Sequence, residues 1–418
     1  MSRDKKHLLV LGAGIVGVAS ALRGLRAGLD VTLVDRLPPG DSTSFGNAGV
    51  LASLSFIPVT TPGLIGKVPS MLANPIGPVY VQWSRLPAML PWLWRYLRNS
   101  SRERATAIAH SLAPLTLDSF AAHRDLAAGT PAARRVREMG YAFAYRDRAA
   151  FDGDAFGWNL RTEHGISYDV YEDDAAREVE PAMGRGYRCL VVSSEQHGTI
   201  DEPGNYVKEL AEAFTSAGGT YRQAGVASLE VRDGRFAGLK LENGETLAGD
   251  DVVLAAGVWS AELLKPLGIN IPLQAERGYH VELLGSNRVP RHALSVTDGK
   301  FVATPMGDRV RLAGLAEFAS IDAPPSKAPV KTLLTRARQI FDDLEYESHT
   351  EWLGRRPTTI DSLPVLGELG RQQGIHLAFG HQHVGLTCAP TTARLVVDRI
   401  AGVPSNQDMA PYSAERFG

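Results

Sequence analysis

Three glycines interrupt the junction between an apolar strand and an apolar helix near the start of the chain. They are Gly12, Gly14 and Gly17 in LLVLGAGIVG, residues 8–17, and they follow the spacing G-x-G-x-x-G. Because glycine weakens both strands and helices, such a junction requires a bare backbone. The spacing assigns Gly12 to a tight turn, Gly14 to the close approach of a pyrophosphate, and Gly17 to close packing of the helix on the strand.

A second strand completes this unit. DVTLVD, residues 30–35, ends in Asp35, eighteen residues after Gly17. A carboxylate there can accept hydrogen bonds from both hydroxyls of an adenosine ribose, and it would repel a 2′-phosphate. The unit therefore predicts a dinucleotide site, and the alternative is a closely packed crossover that binds no ligand. NAD and FAD both use this unit, so these residues leave the choice of cofactor open.

The composition restricts the class of protein and its partners. The chain has 418 residues, of which 44% are hydrophobic and 22% charged, as in a soluble chain of two or three domains. The net charge of −2 offers no basic surface for nucleic acid. Cys189 and Cys388 lie far apart, without the spacing of a zinc site or a redox pair. This cysteine usage predicts a reducing, cytoplasmic location.

The N-terminal segment imitates a secretory signal. Lys5 and Lys6 precede the apolar run of residues 8–22. The run contains the three glycines and continues into the second strand, so we interpret it as the start of the fold. No run of eighteen or more apolar residues follows, and a membrane-spanning helix is not expected.

Two later segments predict further contacts to a cofactor. LAGDDVVLAAGVWS, residues 247–260, is an apolar strand that runs into Ala256 and Gly257. Its small residues suit the close approach of a ligand, although an ordinary strand ending in a turn has the same pattern.

The second of these segments is IHLAFGHQHVGLT, residues 375–387. It predicts a short strand, a loop from Gly380 to Gly385, and a helix opened by Thr387. The backbone N–H groups of Gly385, Leu386 and Thr387 would suit the negative charge that a reduced flavin holds near N1 and the C2 carbonyl. The alternative is simple N-capping by Thr387.

Seven motifs follow one another in an order shared with a known family. They are VLGAGIVGVASA, STSFGNAGV, HGTIDEPG, VVLAAGVWS, RGYHVEL, WLGRRPTTIDSLPVLG and LAFGHQHVGLT. The chain thereby resembles the FAD-dependent D-amino-acid dehydrogenases, within the wider group that contains D-amino-acid oxidase, glycine oxidase and sarcosine oxidase. The resemblance implies FAD as the cofactor. We expect it to be bound non-covalently, because the sequence places neither cysteine against the flavin ring, and Cys388 is interpreted as a packing residue.

The resemblance also implies the architecture. We expect an α/β fold in which a Rossmann-like FAD-binding domain is interleaved with an α+β substrate domain built on an antiparallel sheet. The FAD-binding domain is assigned residues 1–60, 196–275 and 350–418, and the substrate domain residues 61–195 and 276–349. Local patterns agree, since residues 202–219 read as an amphipathic helix and residues 301–318 as two strands joined through 306–308.

The glycine unit and the resemblance together give the predicted cofactor-binding residues. In the family, the segment equivalent to residues 42–49 wraps the flavin ring and the pyrophosphate. The predicted residues are Gly12, Gly14, Ile15, Val16, Gly17, Asp35, Arg36, Ser42, Thr43, Ser44, Asn47, Ala48, Gly49, Val226, Ala256, Gly257, Trp259, Gly380, His383, Val384, Gly385, Leu386 and Thr387.

Three residues are predicted to act on the substrate. By resemblance, Arg356 grips the substrate carboxylate, although an Arg-Arg pair such as Arg355 and Arg356 is often a solvated surface feature. Tyr279 would bond the same carboxylate, or else be a buried strand tyrosine. His381 would take an amine proton or stabilise the anionic ring, as would His383 beside it, and the alternative is a loop histidine bonded to the backbone. No third ligand completes a metal site around these histidines.

The predicted reaction is oxidative deamination of a small D-amino acid. Hydride passes from Cα to flavin N5, and the resulting imine hydrolyses to a 2-oxo acid. The alternatives are D-hydroxyproline as substrate, or a secondary amine such as an N-alkyl glycine oxidised with oxygen. A flavin-bearing binding protein without turnover is a further alternative, and it would lack the carboxylate clamp.

One aromatic segment bears on the electron acceptor. Residues 78–104 contain three tryptophans, several prolines and five arginines. Enzymes of the resembling family pass electrons to the respiratory chain, so one interpretation of the segment is a peripheral membrane contact near a quinone or another electron-transfer partner. The alternative is that Trp92, Leu93 and Tyr96 face the core of the substrate domain while the arginines face water.

Overall fold

The computed structural model describes residues 5–74 and 76–418, and the strands within them fall into four sheets. In chain order the strands are β1 (His7–Leu11), β2 (Asp30–Asp35), β3 (Val50–Leu51), β4 (Val79–Val81), β5 (Val136–Glu138), β6 (Tyr141–Tyr145), β7 (Asp169–Glu172), β8 (Cys189–Ser193), β9 (Gly198–Ile200), β10 (Thr220–Gln223), β11 (Val226–Arg232), β12 (Arg235–Leu241), β13 (Thr246–Ala248), β14 (Asp251–Leu254), β15 (Leu273–Leu284), β16 (Ala293–Val296), β17 (Phe301–Met306), β18 (Arg309–Phe318), β19 (Ser348–Thr359), β20 (Val365–Glu368) and β21 (Ile375–Phe379).

The α-helices lie between these strands. They are α1 (Ile15–Arg26), α2 (Leu64–Ala73), α3 (Leu86–Leu97), α4 (Arg102–Thr116), α5 (Ser119–Ala127), α6 (Arg148–Asp152), α7 (Ala155–Glu163), α8 (Asp173–Val179), α9 (Pro203–Ser216), α10 (Ser260–Leu264), α11 (Lys327–Ile340) and α12 (Gly385–Ile400). The predicted helix over residues 202–219 is α9, and the predicted strand pair over 301–318 is β17 and β18.

The glycine-rich turn belongs to a mostly parallel sheet with the order β10-β2-β1-β14-β21-β20. Its strands are parallel except for β20, which runs antiparallel to β21. Leu8 and Val10 pack in the core formed with α1, α9 and α12, whereas Leu9 and Leu11 pack toward the small sheet of β11, β12 and β13. Both faces of β1 are therefore buried, which explains its uninterrupted apolar sequence. The predicted Rossmann-like architecture is confirmed.

A larger sheet faces the dinucleotide-binding sheet across a cavity. Its order is β19-β15-β18-β17-β16-β6-β8-β7, with β4 paired to β18. It is mixed rather than wholly antiparallel, because β16 runs parallel to β6 and β4 runs parallel to β18. Val281 and Leu312 of this sheet pack with Leu333 and Ala337 of α11 in one core cluster. The helix thereby covers one face of the sheet.

The large sheet crosses two of the predicted domain boundaries. β15 begins at Leu273, before the predicted boundary at 275, and β19 extends to Thr359, beyond the boundary at 349. The two strands pair along their whole length, from Leu273 with Thr359 to Leu284 with Ser348. The division into domains stays a prediction, and residues 1–4 and 75 of its segments lie outside the described residues.

The aromatic segment 78–104 is divided between core and surface. Trp92 and Tyr96 of α3 are buried and stacked, and Nε1 of Trp92 donates to the carbonyl of Pro272 at 3.1 Å. Trp83 and Trp94, by contrast, are 63% and 67% exposed. In residues 5–74 and 76–418, none of the helices has both the length and the apolar character needed to cross a bilayer.

Candidate active site

A cavity of about 990 Å³ lies between the two large sheets. Its wall includes the glycine-rich turn, the loop of residues 42–48, the start of α12 and one face of the large sheet. Nearly all of the predicted cofactor-binding residues line it. The exceptions are Gly17, Gly49 and Gly380.

The glycines of the turn are required by backbone contacts. Gly12 has φ +113°, and a Cβ at this position would lie 2.6 Å from the carbonyl carbon of Ala255. A Cβ at Gly17 would lie 2.9 Å from the carbonyl carbon of Gly12. Gly12 therefore packs against the backbone of Ala255, which follows β14, and Gly17 packs against the backbone of Gly12. Neither position admits a side chain without moving the backbone.

Asp35 is held at the end of β2 by backbone groups. One of its carboxylate oxygens accepts from the N–H of Ala13 at 2.6 Å, and the other accepts from the N–H of Leu37 at 2.9 Å. The next residue, Arg36, places its guanidinium 4.3 Å from the centre of the Trp259 ring. Asp35, Arg36 and Trp259 all line the cavity, so one carboxylate and one cation–aromatic pair are grouped beside the glycine-rich turn.

The loop of residues 42–49 is hydrogen-bonded to helix α1 and to the large sheet. Oγ of Ser44 accepts from the N–H of Ile15 at 3.0 Å, which joins the loop to the first turn of α1. The hydroxyl of Thr43 donates to the carbonyl of Arg355 at 3.0 Å, which joins it to β19. The side chain of Asn47 accepts from the N–H of Gly49 at 2.9 Å and closes the turn.

A buried ion pair that the sequence analysis missed supports the same loop. Arg311 of β18 donates from Nε and Nη2 to Glu282 of β15 at 2.9 and 2.7 Å, and both residues are buried. Nη1 of Arg311 donates to the carbonyl of Asn47 at 2.6 Å. An arginine at an inward-facing position of a predicted strand could have indicated this ion pair, because a buried charge requires a partner. Its role is to hold the loop in place.

Aromatic packing fixes the other side of the loop. Trp352 of β19 stacks on the ring of His280, with centroids 5.2 Å apart, and Nδ1 of His280 lies 3.1 Å from the carbonyl oxygen of Gly46. A Cβ at Gly46 would overlap the ring of Trp352. Gly46 therefore allows the loop to lie directly against the large sheet.

The start of α12 differs from the prediction. The helix begins at Gly385, with Val384 as the N-cap and no side-chain cap. Thr387 lies inside the first turn, where its hydroxyl lies 3.4 Å from both the carbonyl of Val50 and the N–H of Ala52. The prediction that Thr387 opens the helix is wrong, because the first helical hydrogen bond runs from Cys388 to the carbonyl of Val384. The uncapped first turn lines the cavity.

The two histidines of the preceding loop have different surroundings. Nε2 of His381 lies 2.9 Å from the hydroxyl oxygen of Thr392 in α12, and burial lowers the pKa of His381 to about 3. The ring of His383 is exposed to the cavity. Desolvation by the surrounding protein, followed by the charge of Arg356, lowers the pKa of His383 to about 4. Both rings are therefore neutral at pH 7.

Arg356 lies half-buried in the cavity wall rather than on the protein surface. Nη1 donates to Glu276 at 2.6 Å and to the carbonyl of Leu315 at 2.9 Å, and Nη2 donates to the carbonyl of Gly314 at 3.4 Å. The guanidinium crosses β15 at Gly278, where a Cβ would lie 2.6 Å from Nε of Arg356. Glu276 and Gly278, which the sequence analysis did not select, are thus what orients the arginine.

Tyr279 borders the cavity, but its hydroxyl is engaged elsewhere. It donates to Glu317 at 2.6 Å and accepts from the N–H of Ser326 at 2.9 Å. Arg277, two residues earlier and on the same face of β15, also contacts Glu317. Arg356 crosses the other face, over Gly278. Tyr279 therefore has the contacts of the buried strand tyrosine, the alternative interpretation, and its role as a carboxylate ligand stays a prediction.

Comparison with known proteins identifies the family. The family described as FAD dependent oxidoreductase matches residues 7–399. The chain belongs to this FAD-dependent oxidoreductase family. It is 35% identical to a D-amino-acid oxidase from Bradyrhizobium diazoefficiens, over 99% of each chain, and 33% identical to a D-amino acid dehydrogenase from Paramagnetospirillum magneticum, over 98% of each. Its fold matches glycine oxidase from Geobacillus kaustophilus with a TM-score of 0.78 and 21% identity, covering 98% of this chain and 99% of that one.

The cavity of this family member fits FAD. The glycine-rich turn and the uncapped first turn of α12 suit the anionic parts of a ligand, as a pyrophosphate and a reduced flavin require, because a helix N-terminus follows each of them. Asp35 offers carboxylate oxygens in the same cavity. Cys189 and Cys388 are buried and free, and neither is among the described residues that line the cavity. FAD is the cofactor of the chain, and its non-covalent attachment stays a prediction.

Proposed function

We propose that this FAD-dependent oxidoreductase oxidises the C–N bond of a D-amino acid. The observation that carries the proposal is the position of Arg356, which lines the same cavity as the glycine-rich turn and the first turn of α12. A guanidinium can hold a carboxylate by two parallel hydrogen bonds and thereby fix the neighbouring Cα. The D-amino-acid oxidase and dehydrogenase relatives, at 35% and 33% identity over almost the whole chain, support the same substrate class.

Arg356 has donors left for this purpose. Its two Nη1 hydrogens are directed to Glu276 and to the carbonyl of Leu315, and one Nη2 hydrogen to the carbonyl of Gly314. Nε and the second Nη2 hydrogen form the side of the guanidinium that we assign to the substrate carboxylate. Glu276 and the two carbonyls hold the guanidinium in place before the substrate binds, so little side-chain ordering is required on binding.

The substrate amine must be neutral before hydride can leave Cα. We assign the contact to the amine to His383, because its ring faces the cavity and stays neutral at pH 7, so that one ring nitrogen is free to accept a hydrogen bond. We do not assign this contact to His381, because it is buried and its Nε2 is already bonded to the hydroxyl of Thr392. Bound FAD supplies the two-electron acceptor. The imine product would hydrolyse in water to a 2-oxo acid.

The first experiment is anaerobic bleaching of the visible flavin band by D-amino acids, L-amino acids, D-hydroxyproline and sarcosine, each added separately to the purified protein. We expect a D-amino acid to bleach the band. Bleaching by sarcosine alone, or by an L-amino acid alone, would show that the substrate is a secondary amine or an L-amino acid instead. A bound flavin that no compound bleaches would overturn the proposal.

Two adjacent arginines provide a matched test of the clamp. Arg356→Met should lower kcat/KM by at least about 100-fold while FAD remains bound, because the positioning of Cα is lost. Arg355→Met is the control, since Arg355 donates to the carbonyl of Ile321 at 2.7 Å and is not among the described residues that line the cavity. Equal kinetics for the two variants would contradict the assignment of Arg356.

We also propose that the electron acceptor is a quinone or an electron-transfer partner reached at the cytoplasmic face of a membrane. The supporting observation is the exposure of Trp83 and Trp94, with Leu90 on the same segment 53% exposed. Aromatic residues with neighbouring arginines favour the headgroup layer of a bilayer. The Trp83→Ser/Trp94→Ser variant should lose flotation with anionic vesicles. Rapid recolouring of the bleached enzyme in air would instead indicate an oxidase.

A further inference from the structure

Part of the cavity beyond Arg356 carries cationic side chains that the proposed reaction does not use. They are Lys67 of α2, Arg161 of α7 and Lys300 in the turn between β16 and β17, and all three line the cavity. Asp154, at the start of α7, is the carboxylate among them and accepts from the hydroxyl of Tyr145 at 2.7 Å. With three positive groups and one negative group, this part of the wall has a formal charge of +2 at pH 7.

Arg161 is buried with an unsatisfied donor. It is 8% exposed, its Nε donates to the carbonyl of Leu54 at 3.3 Å, and its guanidinium lies 4.6 Å from the centre of the Trp158 ring. Nη1 is buried and has no hydrogen-bond partner among the described residues. A buried guanidinium donor without an acceptor lowers the stability of the fold, so a role for Arg161 other than packing is expected. An anionic ligand in the cavity, whose wall includes Arg161, would offset the charge of this buried guanidinium.

The backbone of Lys300 is fixed by hydrogen bonds, and its exposed side chain lines the cavity. It has φ +55°, a conformation that residues other than glycine seldom adopt. Its N–H donates to the carbonyl of Val296 at 2.9 Å, and its carbonyl accepts from the N–H of Leu315 at 3.3 Å. Within residues 5–74 and 76–418, no carboxylate lies within ion-pair distance of its ammonium group. Desolvation lowers the pKa of Lys300, an effect that the charge of Asp154 opposes and the charge of Lys67 reinforces.

The two cationic parts of the cavity lie close to each other. Arg356 donates to the carbonyl of Leu315, and the N–H of Leu315 donates to the carbonyl of Lys300. The guanidinium and the turn that contains Lys300 therefore flank one stretch of β18, and adjacent strands are about 4.8 Å apart. A single small amino acid with an acid group at each end can span this separation.

We infer that the substrate is a dicarboxylic amino acid, whose first carboxylate binds Arg356 and whose second carboxylate binds Lys300 and Arg161. This inference rests on the proposed function and specifies its substrate. The second carboxylate can belong to the side chain, as in D-aspartate or D-glutamate, or to a substituent on nitrogen, as in iminodiacetate. Both share the required chemistry, a second anionic group a few bonds from the oxidised carbon.

The test compares each dicarboxylic amino acid with a counterpart that lacks the second negative charge, on the FAD-loaded enzyme. D-aspartate and D-glutamate should have kcat/KM at least about tenfold above D-asparagine and D-glutamine, and iminodiacetate is compared with sarcosine. If only D-aspartate and D-glutamate are preferred over their amides, the second carboxylate belongs to the side chain. If only iminodiacetate is preferred over sarcosine, the second carboxylate belongs to a substituent on nitrogen. Equal kcat/KM for the dicarboxylic amino acids and their counterparts would overturn the inference while leaving the proposed function intact. If no amino acid reduces the flavin, it is the proposed function that fails.

A variant and a binding measurement make the test specific. In Lys300→Gln, the acid-to-amide ratio of kcat/KM should fall by about tenfold or more, and Lys331→Gln, on the exposed side of α11, should keep the wild-type ratio. Calorimetry with glutarate, which cannot be oxidised at an amine, should give a Kd at least about tenfold lower than butyrate for wild type but not for Lys300→Gln. Unchanged ratios and equal Kd values in Lys300→Gln would exclude Lys300 from the subsite.

Discussion

The substitution Gly278→Ala tests how the strand pairing of β15 and β19 positions the carboxylate clamp. A Cβ at residue 278 would lie 2.6 Å from Nε of Arg356, and closer still to its Cζ and Nη2. Ordinary contact begins at 3.4 Å, so the guanidinium must move by about 1 Å. Gly278 is not among the described residues with positive φ, and alanine is therefore compatible with its backbone. The perturbation should be confined to Arg356.

The expected effect follows from the size of this movement. A displacement of about 1 Å in a positioning group costs about 100-fold in rate, equivalent to about 2.7 kcal/mol of transition-state stabilisation. The free energy of unfolding should change by less than about 1 kcal/mol, since Gly→Ala also restricts the unfolded chain. FAD should remain bound, because Gly278 contributes to the wall on the substrate side.

The assay is steady-state kcat/KM with the best D-amino acid, together with the flavin spectrum and a denaturant unfolding curve. Gly66→Ala is the matched control, since nothing lies within 4 Å of a Cβ at that position. A Gly278→Ala enzyme with wild-type kcat/KM would refute the conclusion that Arg356 must lie over Gly278 to act. Loss of FAD or of folding would show that Gly278 has a wider structural role.

Three further predictions concern the cofactor, the loop and acid stability. Asp35→Ala should raise the Kd for FAD at least about tenfold, measured by flavin fluorescence, and an equally well retained flavin would contradict its ribose role. Arg311→Met should lower the free energy of unfolding by about 1–3 kcal/mol in denaturant melts, because buried Glu282 loses one of its two arginine partners and keeps Arg309 at 3.0 Å, and Arg311→Met/Glu282→Gln should recover part of it. His381 has a pKa of about 3 in the folded protein against 6.5 normally, so its contribution to stability is complete above pH 6.5 and is lost as the pH falls toward 3. Denaturant melts at several pH values should therefore show a shallower loss of stability for His381→Asn than for wild type, and equal slopes would mean that His381 titrates normally.

The elements whose determinants are local in sequence were predictable. The glycine-rich turn, the strand that ends in Asp35, helix α9 and the strand pair β17–β18 depend on spacing within short segments, and each lies where its pattern predicts. Connectivity explains much of this success, because the positive φ of Gly12 and the packing of Gly17 on Gly12 are set within the turn, although Gly12 also packs against Ala255. The cofactor family followed from motifs that retain their order along the chain.

The chemistry of the substrate side depended on the tertiary structure. The pairing of Glu276 with Arg356 places Gly278 under the guanidinium and turns Tyr279 to the opposite face, and a strand pattern alone does not give this register. Likewise, His381 and His383 are two residues apart in one loop and both line the cavity, yet His381 is buried and bonded to Thr392 while His383 is exposed. By itself the sequence determined the dinucleotide-binding unit, because its contacts are local. Only the assembled sheets decided which side chains face the substrate, since contacts such as that of Arg356 with Glu276 join residues on different strands, up to 80 positions apart.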